Sequence, residues 1–159
     1  MTFGVRPLRS ADCPWVRELL AQRWSGPRLV SRGRVHEGDR LPGLVAVHGE
    51  EYLGLLTFHV EGPACEIVSL DSVVAGRGIG TALLATVEQV ARDGGCRRLW
   101  LVTTNDNLPA VRFYQKRGFA LVAIHRNALE IARLLKPAIP PIGIDSIPLR
   151  DEIELERLL

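Results

Sequence analysis

Apolar positions change period several times along the chain, and each change marks an element. In "CPWVRELLAQRW" the residues Val16, Leu19, Leu20 and Trp24 recur at helical steps, predicting a helix that Ser10 or Asp12 caps and Gly26 and Pro27 end. "FGVRPLR" before it reads as a short strand. "GLVAVHGEEYLGLLTFHVEGPACEIVSL" holds three apolar runs broken at His48-Gly49-Glu50 and Glu61-Gly62-Pro63, the pattern of an antiparallel three-strand meander. The helical period then returns in "GTALLATVEQVARDGG", with Leu83, Leu84, Val87, Val90 and Ala91 on one face. "RRLWLVTT" predicts a buried strand, "NLPAVRFYQKRG" a helix capped by Asn107 with Pro109 in its first turn and Gly118 just past its end, and "FALVAIH" another strand.

Two stretches are less regular. In "RLVSRGRVHEGDRLP" the residues Arg32, Arg34 and His36 alternate as in a strand while Gly33 and Gly38 interrupt, which predicts an extended loop or edge strand. Near the C-terminus "ALEIARLL" predicts a helix and "KPAIPPIGIDSIP" a proline-rich connection. "DEIELERLL", where Glu152, Glu154 and Glu156 alternate with Ile153, Leu155 and Arg157, favours a last, half-exposed strand, with a short helix as the alternative. At 159 residues one domain is expected, with residues 128–149 forming a helix and a rigid, lid-like connection before the last strand.

Composition narrows the function. An apolar share of 47%, a charged share of 24% and no run approaching a membrane span describe a soluble globular protein, expected in the cytoplasm because the N-terminus lacks a signal or transit pattern. Twenty basic against eighteen acidic residues are too balanced to imply a nucleic acid as partner. Cys13, Cys65 and Cys96 lack metal or disulfide spacing and read as buried small hydrophobes; the four histidines show no ligand spacing, so no metal is expected.

The chemistry concentrates in "SLDSVVAGRGIGTALL", where a strand-like run turns into a helix through three glycines in five positions. Backbone N–H groups at such a turn approach an anion closely, and the helix N-terminus adds positive potential. A dinucleotide fingerprint would need a third glycine where Thr81 stands and a place near the start of a βαβ unit, and the Lys-Ser or Lys-Thr of a P-loop is absent. A nicotinamide oxidoreductase is therefore excluded. About thirty residues on, "NLPAVRFYQKRGF" has the form N-x-x-A-x-x-F-Y-x-x-x-G-F, and with "GRGIGTALL" before it the stretch from Gly43 to Arg126 resembles the GNAT N-acetyltransferase superfamily.

That resemblance implies an α/β fold with a mixed, mostly antiparallel central sheet of about six to seven strands flanked by helices. It also implies a splay between two central parallel strands, here "EIVSL" and "RRLWLVTT". Acetyl-CoA would lie in the splay, with its pyrophosphate on the backbone of Gly76, Arg77, Gly78, Ile79, Gly80 and Thr81. Ser69, Leu70, Asn107 and Tyr114 complete the implied cofactor contacts, the Leu70 amide polarising the acetyl carbonyl. One departure stands out: Ala75 occupies the position where the family usually has Gln or Arg.

Acetyl transfer to an ammonium group needs a base and an acid. Glu66, on the strand entering the loop, is the candidate base, with Asp71 as its rival; Tyr114 matches the family tyrosine that protonates the departing thiolate. The expected acceptor is a small primary amine or a peptide, and Arg32, Arg34, His36 and His125 are weak candidates for binding it. Many members of the superfamily pair, which allows a homodimer. The competing reading is a non-catalytic CoA-binding sensor, motivated by Ala75.

Overall fold

The computed structural model describes residues 2–159. Strand β1 (Gly4–Pro7) leads through a short 3-10 turn into helix α1 (Cys13–Trp24), followed by strands β2 (Arg28–Ser31) and β3 (Arg34–Glu37). The meander is β4 (Gly43–His48), β5 (Glu51–Glu61) and β6 (Ala64–Ser72), as the apolar runs predict. Then come α2 (Ile79–Asp93), β7 (Arg98–Thr104), α3 (Leu108–Gln115), β8 (Ala120–His125), α4 (Ala128–Leu135) and β9 (Glu152–Leu158). Seven strands form one sheet in the order β1-β4-β5-β6-β7-β9-β8, antiparallel except for the β6–β7 pair. No helix is long and apolar enough to cross a membrane among the described residues.

Two layers cover the sheet. On one face α2 buries Ile79, Leu83, Leu84, Val87 and Ala91 against Leu56, Cys65, Leu99 and Leu155, and α3 adds Tyr114. Val90, expected on that face, is 37% exposed, because it lies at the edge of the apolar stripe. On the other face Val16, Leu19 and Leu20 of α1 meet Leu29 and Leu55. Cys65 and Cys96 are buried, burial pushing the Cys65 thiol up to about 12, whereas Cys13 is half-buried with its Sγ–H directed to the Asp39 carbonyl.

Of the loop and edge-strand alternatives for "RLVSRGRVHEG" the structure takes the second: β2 and β3 form a separate two-stranded hairpin, and the glycine read as an interruption is in its turn. Arg32 and Gly33 both adopt positive φ, 50° and 73°, the two-residue geometry that matches strand twist. The last strand is half-exposed over most of its length, as the alternation predicts; β9 lies between β7 and β8, with Glu152 and Leu155 buried. Its glutamates are accommodated by cations, Arg98 bonding Glu154 and Glu156 and Arg32 bonding Glu152.

Finally, neither predicted cap of α1 makes a side-chain bond to that helix. Asp12 instead accepts two bonds from Arg6 at 2.8 and 2.9 Å, one from the Arg9 amide at 2.7 Å and one from the Tyr52 hydroxyl at 2.7 Å. Tyr52 in turn stacks on Trp15 at 4.3 Å between centroids, so Asp12 joins β1, α1 and β5. The Arg6 guanidinium, ahead of the other donors, holds the Asp12 carboxyl well below the usual carboxylate range.

Asp12→Asn keeps the shape and removes the charge, so it is expected to destabilise by roughly 1–3 kcal/mol near neutral pH. A carboxylate whose folded pKa is depressed stabilises above its unfolded pKa of about 4 and loses that contribution as pH falls below it. Urea denaturation should therefore find the gap between wild type and variant closing between pH 5 and pH 2, values on the order of the carboxylate range.

Candidate active site

β6 and β7 pair only at Ala64–Arg98, Cys65–Leu99 and Glu66–Trp100. Beyond that, β7 stays in register with β9 to Thr104, while β6 stays with β5, where a bulge at Val68 shifts the register. Each strand follows its outer neighbour, and the sheet opens into a wedge. A cavity of about 280 Å³ fills the opening on the α1 side, lined by Glu66, Val68 and Val102 from the two strands and by Lys136, Ile144 and Leu149 from α4 and the proline-rich segment.

Glu66 faces the same side as its partner His59 and as Leu55, beneath the β2–β3 hairpin. It is 5% exposed. The Ser31 hydroxyl donates to its Oε2, and His36 Nε2 lies 3.5 Å from its Oε1. His36 is itself buried and stands 5.3 Å from the His59 ring, centroid to centroid. The hairpin thus clamps one buried carboxylate at the foot of the cavity.

The proline-rich segment is tied down rather than loose. Asp106, buried after β7, accepts from the Thr104 hydroxyl and from the Ile144 amide at 2.8 Å. Asn105 donates to the Pro148 carbonyl and accepts from the Arg150 and Asp151 amides. Arg133 of α4 reaches the Pro140 and Leu149 carbonyls. At the end of α4, Lys136 Nζ donates to the carbonyls of Trp24 and Arg28, the latter at 2.6 Å.

A second groove of about 260 Å³ opens near the α2 N-terminus, bordered by Leu70 and Ser72 of β6, Gly80 of α2, and Pro109, Phe113 and Tyr114 in α3. Gly80 lets the helices approach, since a Cβ there would meet Phe113 Cζ at 3.2 Å. Gly76 and Gly78 have φ of 77° and 73°, a conformation that glycine supplies without strain and that turns the chain directly into α2. Open space surrounds both positions. The amides of a first helical turn have no intrahelical acceptor and point out of the helix, so this loop suits an anion.

Tyr114 is packed edge-to-face on Phe113 and Phe119 at 5.2 and 5.4 Å. Burial, assisted by the nearby Asp71 charge, raises its phenol above the ordinary tyrosine range, which keeps it protonated. Asp71 accepts from Trp24 Nε1 at 2.8 Å; burial raises its carboxyl, and the indole bond partly opposes that rise.

Comparison with known proteins decides the family. Residues 12–119 match the Acetyltransferase (GNAT) family. The chain belongs to that family. It is 42% identical over 143 residues to the protein YdhI of Bacillus subtilis (strain 168), covering 89% of each chain. In fold it superimposes on an IAA acetyltransferase from Bacillus cereus ATCC 14579 with a TM-score of 0.77, at 22% identity over 99% of this chain and all of that one. A GNAT family acetyltransferase from Elizabethkingia anophelis with acetyl-CoA bound gives a TM-score of 0.72 at 20% identity, over 99% of this chain and 98% of that one. The activity of this GNAT chain is acetyl transfer.

Against that identity the individual residues fall into groups. Leu70, Gly80 and Tyr114 share the second groove, Asn107 lines the first cavity and accepts from the Ala110 amide at 3.3 Å, and Gly76, Arg77 and Gly78 form the loop between β6 and α2. Ser69 turns its hydroxyl to Thr57 at 2.6 Å, Ile79 is in the core, and Thr81 accepts from Arg117, so from these three only backbone groups face the loop. Ala75 is exposed. Arg32 pairs with Glu152, Arg34 with Glu61 on the surface, and His125 with Glu154. None of those three lines the cavity, and neither does His36, which reaches it through Glu66.

Sequence reasoning missed Ser31, Asp106 and Lys136. Reading Arg32-Gly33 as a hairpin turn would have placed Ser31 and His36 opposite the meander; nothing local marks the other two.

Gly143 packs against Asp106 so closely that a Cβ would lie 2.1 Å from Asp106 Oδ2. Gly143→Ala is expected to break the Asp106–Ile144 bond and free the segment. Thermolysin should then cut within residues 139–149 at least about tenfold faster, the loss of one charged hydrogen bond setting the scale. Cleavage at the wild-type rate would show that the segment is held elsewhere.

Proposed function

We propose that this chain acetylates the primary amine of a small acceptor, the amine attacking acetyl-CoA directly while both are bound. The observation that carries this reading is the two-sided wedge. Buried Glu66 faces one opening, and Leu70, Gly80 and Tyr114 border the other, so acceptor and donor meet across β6. The Elizabethkingia anophelis relative with acetyl-CoA bound supports the choice of donor. We place the activity in the cytoplasm.

Acetyl-CoA supplies an acetyl group activated as a thioester, whose C–S bond breaks as the new C–N bond forms. The remaining work is proton and charge management by the protein. An acceptor ammonium carries two protons that must leave: one ends on the departing sulfur and one is released. Glu66, held by Ser31, takes the released proton and frees the amine lone pair. Tyr114, kept protonated by burial and by Asp71, supplies the proton for sulfur. The Leu70 amide donates to the acetyl oxygen, and the amides of residues 77–81 hold the pyrophosphate at the α2 N-terminus. Asn107 caps α3 and reaches the cavity, where it bonds the pantetheine arm.

Asp71 is the weaker base. It is already engaged by Trp24, and its effect on Tyr114 suits a group that tunes the acid. A CoA-binding sensor would need neither a buried carboxylate at the acceptor cavity nor a phenol in the groove.

Tyr114→Phe is expected to lower kcat by about tenfold or more with acetyl-CoA affinity nearly unchanged, measured by thiol release and by calorimetric titration. Unchanged turnover would remove the phenol from the reaction. Glu66→Gln should cost most at low pH, the deficit shrinking as pH rises and more of the acceptor amine is already neutral. A deficit that stays constant from pH 6 to pH 9, roughly the range below a free alkyl ammonium pKa, would instead mark Glu66 as structural.

A further inference from the structure

Of the two cations that line the acceptor cavity, Arg23 is exposed and Lys136 is half-buried, and the mechanism above leaves Lys136 without a task. It lines the acceptor cavity together with Glu66, and it is one of two lysines in a chain whose other basic side chains are arginines or histidines. Its ammonium donates to two backbone carbonyls, those of Trp24 and Arg28, and to no carboxylate among the described residues. Those contacts satisfy two of its three N–H donors and none of its charge. Burial, with no opposing anion, pulls the ammonium below the ordinary lysine range.

The carboxylates of the same cavity are differently placed. Glu152 is neutralised by Arg32, and Asp106 is spent on Thr104 and on the Ile144 amide. Glu66 has one oxygen held by Ser31, while the other has only His36, at 3.5 Å. The cavity therefore presents one available anion, Glu66, and one half-buried cation without a carboxylate partner, Lys136; its other lining cation, Arg23, is exposed, and its walls include the apolar Val68, Ile139 and Leu149.

Strand β2 gives their spacing. Lys136 is anchored on the Arg28 carbonyl at its start and Glu66 on the Ser31 hydroxyl at its end. Three residues of extended chain span about 10 Å. Two charge-assisted contacts of about 2.8 Å leave roughly 4–5 Å for a ligand's own amine-to-anion distance. One short molecule bridges that gap.

We propose that the acceptor is a small aminocarboxylate, its ammonium on Glu66 and its carboxylate on Lys136. This rests on the amine-acetylation reading above and adds the substrate class. A plain alkylamine would leave half-buried Lys136 without an anionic partner, a polyamine would bring a second cation to it, and a peptide would have to displace the segment tied down by Asp106 and Asn105. The chemistry is unchanged: the amine nitrogen gains the acetyl group, sulfur takes one proton and Glu66 the other.

The test compares matched pairs that differ only by the carboxylate, L-leucine against 3-methylbutylamine and 4-aminobutanoate against propylamine. For at least one pair, wild type is expected to prefer the acid by about ten- to a hundred-fold in kcat/KM, the range of a hydrogen bond to a charged group. Lys136→Met should collapse that ratio by at least about tenfold, and Lys136→Arg should retain most of it. Because Lys136 also clamps the loop after α1, Lys136→Met can lower all rates, but a general lesion lowers both members of a pair alike and leaves the ratio unchanged.

Equal use of acid and amine by wild type in both pairs, or a ratio indifferent to Lys136→Met, overturns the proposal. Calorimetric titration of the same four compounds reads the ratio without turnover. Preferential binding of an acid without thiol release would uphold the ligand class and overturn amine acetylation. Thiol release with all four compounds alike would do the reverse.

Discussion

The ladder between β6 and β7 lasts for three residue pairs and then stops, and the site depends on where it stops. Parallel pairing needs both strands to follow the same twist. Here β6 is drawn by β5, with the bulge at Val68 turning it further, and β7 is drawn by a seven-residue ladder with β9. The opening begins at Glu66, the last β6 residue in register with β7. Backbone groups that a continuous sheet would have consumed are thereby left facing a wedge, and only a polar ligand or water can satisfy them there. A central strand pair that separates while its outer neighbours remain paired makes a binding slot without weakening the sheet.

The same wedge explains why buried charge concentrates on one side. Glu66, Asp106 and Glu152 are all 5% exposed or less, and each has its own donors: Ser31 and Arg32 of the hairpin for Glu66 and Glu152, and Thr104 of β7 with Ile144 of the proline-rich connection for Asp106. A buried carboxylate without such donors would destabilise the fold by several kcal/mol. The hairpin and the C-terminal segment therefore do two things at once: they roof the cavity and they supply the hydrogen bonds that let acids remain under the roof.

Much of this was legible in the sequence, for reasons particular elements make clear. The meander, α2, α3 and α4 each keep one period from end to end, and their stops are glycines or prolines with a single meaning. The α1 boundaries were also read correctly, yet its cap was not, because Asp12 had a better partner in Arg6, six residues upstream and on another strand. β9 was read as a half-exposed strand, and so it is, but its place inside the sheet was not legible, because the cations that match its glutamates, Arg98 and Arg32, stand 56 to 120 residues away in chain order. The glycine loop and Tyr114 were found as motifs, whereas Ser31, Asp106 and Lys136 carry no local pattern. Their role arises only when the fold places them around one cavity.

The loop around Ala75 can now be considered physically. A long side chain at that position would add one or two donors to a bound pyrophosphate, but it would also have to be ordered from solvent, at a cost in rotamer freedom of about 1–2 kcal/mol. The loop already has two positive-φ glycines and runs straight into a 15-residue helix, whose first-turn amides are fixed by the fold before any ligand arrives. Donors held by the backbone lose little entropy on binding, and they carry the helix dipole with them. With alanine in place of the usual Gln or Arg, the donors that the start of α2 offers an anion are backbone amides fixed by the fold. A cradle of several fixed amides suits an extended anion better than a compact one, because only the former reaches several of them at once.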